Sequence, residues 1–292
     1  MTTAPLSDAR LISVRDLRVS FPTRSGTFEA VRGVSFDLGR ERLGVVGESG
    51  SGKSMTGRAI LGLVRPPGKV TAASMTLDGQ SILNLPQRRM RKIRGQRISM
   101  VMQDPKFSLN PVMPIGRQIV EAYRQGSNAS RADARAKALE MLAAVQIRDP
   151  ERVFDAYPHE VSGGMGQRIM IAMMLAPDPE VLIADEPTSA LDVSVRTEVL
   201  NIMDRLVRDR GMGLIFISHD LNLVSQFCDR VLIMYAGRIV EQLDARDLHK
   251  ARHPYTQGLL NSLPRLDHPV DRLAVLQRQE SWRDGQTFEG GA

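Results

Sequence analysis

Residues 47–54 read GESGSGKS, and no other stretch constrains this chain as tightly. Gly47 and Gly52 flank four residues and are followed by Lys53 and Ser54, the pattern G-x-x-x-x-G-K-[ST]. Glycines let the main chain curl until its N–H groups point inward at an anion. A helix starting there adds the positive end of its dipole. Such a loop needs a strand before it and a helix after it. RLGVVG (42–47) is a short apolar run that ends at the first glycine, and KSMTGRAILGLV (53–64) reads as a helix stopped by RPPG (65–68). The candidate polyphosphate cradle is therefore Gly47, Glu48, Ser49, Gly50, Ser51, Gly52, Lys53 and Ser54. Lys53 would reach the β- and γ-phosphates and Ser54 a Mg²⁺ ion.

A metal-bound polyphosphate needs acidic groups as well. VLIADEP (181–187) places four apolar residues before Asp185 and Glu186. Asp185 would hold Mg²⁺, directly or through water, and Glu186 would polarise a water for in-line attack on the γ-phosphate. VSGGMGQR (161–168) offers the hydroxyl of Ser162 and the bare backbone of Gly163 and Gly164 at the start of a predicted helix. Taken alone, this stretch reads equally well as a second anion-binding helix end or as an ordinary helix start.

The remaining segments alternate between strand and helix patterns. LISVRDLRVS (11–20) and FEAVRGVSFDL (28–38) have strand character, as do 69–78 and 97–102. Residues 104–178 read as a helical insertion, with Ser130 a predicted N-cap for 130–147. EVLIAD (180–185) and GLIFIS (213–218) are continuous apolar runs of the kind buried in parallel sheets, separated by a helical stretch at 192–210. RVLIMY (230–235) and RIVEQL (238–243) read as an edge hairpin, and 253–263 as a last helix. Residues 267–292 are polar and are expected to form a loose tail.

Composition narrows the function classes. Aromatics are 4% of the 292 residues, which argues against stacking on bases as the main activity. The net charge of +6 arises from 39 basic and 33 acidic residues scattered among one another, the pattern of a solvated surface. The single cysteine, Cys228, excludes an internal disulfide and fits a reducing compartment. The N-terminus shows no basic-then-apolar signal pattern, and no apolar run approaches the ~18 residues of a membrane span. Any spanning helices are expected on another chain. The 15 methionines, including IMIAMML (169–175), read as core filler.

Taken in order, these stretches resemble the ATP-binding cassette (ABC) ATPases over about 250 residues. GESGSGKS corresponds to Walker A, VSGGM to the signature, and VLIAD with Glu186 to Walker B. SALD (189–192) looks like the D-loop, Gln103 in VMQD like the Q-loop glutamine, and His219 in ISHD like the switch histidine. The resemblance implies an α/β fold: a P-loop NTPase core of mainly parallel sheet, an N-terminal antiparallel β subdomain and an inserted α-helical subdomain. It implies an ATP-binding domain over 1–266, with 104–178 inserted and carrying the signature. It also implies ATP and Mg²⁺ as ligands and pairing with a second cassette, a sister chain or itself. The signature of each chain would then close on the ATP held by the other. His219 would contact the γ-phosphate, Asp192 would bridge the interface, and Gln103 would sense Mg²⁺ and the transmembrane partner. Phe21 is the implied adenine-stacking aromatic, with Phe28 the alternative.

QDPKFSLNPVMPIGRQI (103–119), YPHEVSGGM (157–165) and HPYTQGLLNSLPRL (253–266) look more specifically like the oligopeptide, dipeptide and nickel importer ATPases. That implies two permease subunits, a solute-binding protein outside the cell, a peripheral seat on the cytoplasmic face of the inner membrane, and no nucleic-acid partner. Exporter ATPases and nucleic-acid-linked ABC ATPases are the alternatives. Two features depart from the pattern. Gly166 stands where many relatives have Arg after the signature Met, and the tail after Leu266 has no cysteine cluster, so no iron–sulfur site is implied.

Overall fold

The computed structural model describes residues 10–103, 108–189, 191–262, 282 and 288–289. The chain divides into two compact units, Met1–Asn84 with Ile215–Ala292, and Leu85–Leu214.

The first unit opens with a long hairpin of β1 (Ile12–Thr23) and β2 (Gly26–Leu38). Ile12 and Val14 are buried, and so are Leu17 and Val19, so the alternation changes phase between Val14 and Leu17. The register with β2 shifts at that point, and Asp16 stands at φ 49°. A bulge there turns the second half of the strand so that its apolar side chains face the core again. β3 (Arg42–Val46) is buried and leads into the phosphate loop, and α1 (Lys53–Ile60) follows it. The short strands β4 (Lys69–Thr71), β5 (Ser74–Leu77) and β6 (Gln80–Ser81) complete an antiparallel sheet of order β2-β1-β5-β6, with β4 also on β1. This is the predicted N-terminal β subdomain.

The second unit holds α2 (Gln87–Met90), β7 (Ile98–Val101), α3 (Ile115–Arg124), α4 (Arg131–Ala144), α5 (Pro150–Asp155) and α6 (Gly163–Leu175). β8 (Val181–Asp185), parallel to β7, and α7 (Val193–Asp209) complete it. Helices α3 to α6 pack on one another. Ala134, Ala138, Met141 and Leu142 give α4 a buried stripe at helical spacing. Ser130 caps α4 as predicted, its Oγ accepting from Asp133 N at 3.1 Å. Met170 and Met173 are buried in α6, as core filler should be.

β9 (Gly213–Ser218) returns the chain to the first unit. α8 (Leu221–Phe227), β10 (Arg230–Tyr235), β11 (Arg238–Asp244), α9 (Pro254–Asn261) and the two-residue β12 (Phe288–Glu289) follow. Here the strand order is β12-β11-β10-β3-β9. β3 and β10 are parallel, and β10 and β11 form the predicted antiparallel hairpin. Two expectations change. β11 is not the edge, because β12 pairs with it in parallel. The segment beyond residue 266 is not loose at Trp282, which is buried against Tyr235, His253 and Tyr255. An apolar ring buried that fully is held by the core it fills. Cys228 is buried beside Gly44, and burial pushes its thiol far above the ordinary value, the condition of an inert structural cysteine.

Candidate functional site

In the first unit, geometry demands the loop's glycines. A Cβ on Gly47 would lie 2.1 Å from Met234 O, and one on Gly52 2.6 Å from Ala30 O. Gly52 also stands at φ 100°, in the left-handed region, and begins α1 without a side-chain cap. No acidic residue occupies the first turn of α1, which leaves the positive helix end available to an anion. Lys53 is 5% exposed, and its ammonium donates to Gly47 O at 2.7 Å and Glu48 O at 2.9 Å. A buried cation is thus fixed inside the curl of the loop. Ser54 is half-buried in the same turn, while Ser49 and Gly50 are exposed. The loop is tied to the β10–β11 turn, where Gly237 N donates to Ser51 O at 3.0 Å.

His219 follows β9 directly and is exposed. It joins Gly47, Glu48, Ser49, Leu221 and Leu259 around an open cleft of about 410 Å³. Its neighbours are fixed. Ser218 Oγ accepts from Asp220 N at 3.0 Å, and Asp220 caps α8 through Leu223 N. A second cleft, of about 450 Å³, lies between Phe28, Arg32, Gly50 and Gly237. Phe21 and Phe28 are paired across β1 and β2. Phe28 is 59% exposed and lines that cleft, whereas Phe21 is half-buried and packs so closely on Gly68 that a Cβ there would meet its ring at 2.6 Å.

In the second unit, β8 is buried throughout and delivers Asp185, itself 5% exposed, to its end. Glu186 comes next at φ 47°, a conformation disfavoured for a residue with a Cβ and one that gathers at functional sites. Its carbonyl accepts from the N–H and the hydroxyl of Ser189, at 3.3 and 3.2 Å. Gln103 is exposed just beyond β7. Ser162 caps α6, its Oγ accepting from Met165 N at 3.4 Å. Ser162 and Gly163 are both exposed, and a Cβ on Gly163 would have no neighbour within 4 Å. A Cβ on Gly164 would lie 2.7 Å from Val195 Cγ1 in α7. Gly166 is buried in the same helix. Asp192 caps α7. The backbone N–H of Val195 and then the hydroxyl of Ser194 hold its carboxyl below the ordinary carboxylate range.

The two signature glycines should therefore behave differently. Gly164→Ala must push Val195 aside and should cost about 1 kcal/mol or more. Gly163→Ala meets open space and should gain up to about 1 kcal/mol of helix propensity. Thermal unfolding of the two variants checks this, with Tm falling for the first and holding or rising for the second.

Sequence reading passed over Tyr255 and Gly237, both of which bond to the phosphate loop. The only signal for Tyr255 was its place in the importer-like stretch 253–266.

The family described as "ABC transporter" matches residues 31–189, and that described as "Oligopeptide/dipeptide transporter, C-terminal region" matches 240–290. The oligopeptide transport ATP-binding protein OppD of Escherichia coli (strain K12) is 46% identical over 279 residues, covering 94% of this chain and 82% of that protein. The dipeptide transport ATP-binding protein DppD of Lactococcus lactis subsp. cremoris (strain MG1363) is 43% identical over 274 residues, covering 93% and 78%. Among solved structures, the dimer of a bacterial ABC transporter cassette superposes with a TM-score of 0.72 at 26% identity, covering 80% of this chain and 99% of that one. A post-hydrolysis state of that cassette, bound to ADP and phosphate, gives 0.72 at 25%.

Proposed function

The chain belongs to the ABC transporter family of ATPases, and from that premise we propose that it is the ATP-hydrolysing subunit of an importer for peptides or related small solutes. The reading rests above all on the exposed start of α6. Ser162 and Gly163 present a hydroxyl and a helix N-terminus that nothing among the described residues requires to be bare, because a Cβ at Gly163 would meet open space there. A nucleotide carried by a second cassette would take that place. Its phosphates would accept from these groups while this chain's own loop holds another ATP. Residues 1–266 form the ATP-binding domain in this reading, with 104–178 as the helical insertion that faces a permease.

Each residue then has a chemical task. Lys53 and the N–H groups of the phosphate loop bind the β- and γ-phosphates. Ser54, Asp185 and Gln103 would hold Mg²⁺, which neutralises charge on the phosphate oxygens when bound. A hydroxyl at a helix start, a buried carboxylate and a side-chain amide are all oxygen donors of the kind this hard cation takes. Glu186 orients and deprotonates the attacking water, and His219 contacts the γ-phosphate from the cleft that it shares with the loop. Phe28, or its partner Phe21, stacks on the adenine. Asp192, engaged as the cap of α7, brings that helix to the partner cassette.

The relatives named for oligopeptide and dipeptide transport, and the match at 240–290, support a peptide-like solute. Among the described residues no helix is long and apolar enough to cross a membrane. Permease chains supply the spanning helices in this reading, with the chain on their cytoplasmic face and a solute-binding protein outside. Tagging the chain and purifying it from detergent-solubilised membranes tests the assignment. Two permease subunits and a second ATPase should accompany it. Recovery without any membrane protein, or with nucleic acid in their place, would overturn the assignment.

A further inference from the structure

We propose that Tyr255 is a positioning residue for the phosphate loop, through which the C-terminal segment sets nucleotide affinity. The inference rests on the nucleotide-binding reading above and adds to it. Glu48 N donates to the phenol oxygen of Tyr255 at 3.1 Å. That N–H belongs to the same peptide plane as the carbonyl of Gly47, which accepts from the Lys53 ammonium at 2.7 Å. The plane is rigid. Tyr255 on one side therefore fixes the direction of the carbonyl on the other, and with it one anchor of the buried lysine. Glu48 O, the next carbonyl, takes a second Lys53 bond at 2.9 Å and accepts from Ser51 N at 3.2 Å. Loosening this first turn would release the lysine and the curl together.

The phenol is itself held firmly. Tyr255 is fully buried, 4.5 Å from the Tyr235 ring and 6.1 Å from Trp282, centroid to centroid. Its N–H donates to His253 Nδ1 at 3.1 Å. Burial, opposed by the nearby Glu241 carboxylate, keeps His253 below the ordinary histidine value, so this nitrogen remains an acceptor. The N–H groups of Arg252 and His253 in turn donate to Oε1 of the buried Glu241, at 2.6 and 3.2 Å. A continuous chain of contacts thus runs from β11 through α9 to the loop. Leu259, one turn further along α9, reaches the cleft shared by Gly47 and His219.

Tyr255→Phe removes only the oxygen and leaves the ring packing in place. ATP and ADP affinity, read with a fluorescent nucleotide, should fall about three- to tenfold, the worth of one such bond. In the assembled transporter KM for ATP should rise by the same factor with kcat within about twofold, and Tm should move by no more than roughly 4 °C. Thr256→Val is the control. Thr256 is fully buried on the same helix, its hydroxyl has no hydrogen-bond partner among the described residues, and its exchange should leave nucleotide affinity unchanged. Wild-type affinity and KM in Tyr255→Phe, or an equal loss in Thr256→Val, would overturn the proposal. A wild-type chain that binds no ATP would instead overturn the nucleotide reading beneath it.

Discussion

Glu186→Gln should leave the assembled transporter able to bind ATP but unable to turn it over, with a rate loss of about 10²- to 10⁴-fold, the usual contribution of a positioned general base. Gln preserves the size and the hydrogen-bonding reach of the side chain and removes its basicity. The backbone argues that this variant folds. Position 186 sits at φ 47° in the turn closed by Ser189, and Gln meets the same steric cost there as Glu. The buried strand β8 that delivers the position is untouched. Binding and hydrolysis should therefore separate. Nucleotide affinity should stay within a few-fold of wild type, single-turnover hydrolysis should be lost, and the cassettes should remain closed over ATP. A normal rate would remove Glu186 from the chemistry.

Lys53→Met should fail one step earlier. The ammonium is 5% exposed and bonded to two carbonyls of the loop. A bound triphosphate would meet it as a desolvated, charge-assisted contact. Truncating one partner of such a pair costs about 2–5 kcal/mol, or roughly 30-fold and upward in affinity. Met matches the volume of the stem, so the fold should persist. Nucleotide titration should show the loss, while circular dichroism and Tm stay close to wild type. ATP binding within a few-fold of wild type would contradict the role given to Lys53.

The elements that carry the candidate site, and the helix starts, were legible in the sequence because each is a local pattern. The loop follows a buried strand and opens a helix, Ser162 and Ser130 cap the helices they precede, and Asp185 ends an apolar run. Residues 11–20 were legible as a strand, but its change of phase between Val14 and Leu17 was not, and the bulge at Asp16 produces it. What escaped was long-range. The bond from Glu48 to Tyr255 joins residues 207 apart, and Gly237 reaches Ser51 from the far end of the chain. No local period encodes such a meeting. Of the segment 267–292, expected to be a loose tail, only residues 282, 288 and 289 lie among those described. Its polar composition conceals one tryptophan that is buried and two residues that pair with β11. The resemblance put Phe21 ahead of Phe28, whereas the structure exposes Phe28 beside the second cleft and packs Phe21 on Gly68. Helices between 115 and 175 were legible, whereas their grouping with β8 and α7 in one compact unit depends on tertiary contacts.

The central claim is that the start of α6 completes a nucleotide site belonging to another cassette. Gly163→Asp tests it most directly, because the position faces open space and the fold tolerates a side chain there. Its carboxylate would repel the phosphates of a partner's ATP. The measurement is the ATPase rate per chain, taken for wild type and variant as monomers and again in the paired assembly. Monomers of either form should be nearly inactive. Pairing should raise the wild-type rate by orders of magnitude and leave the site closed by the variant's α6 silent, while the variant's own loop still binds ATP. A strictly monomeric Gly163→Asp chain that hydrolyses ATP at the full wild-type rate would contradict it.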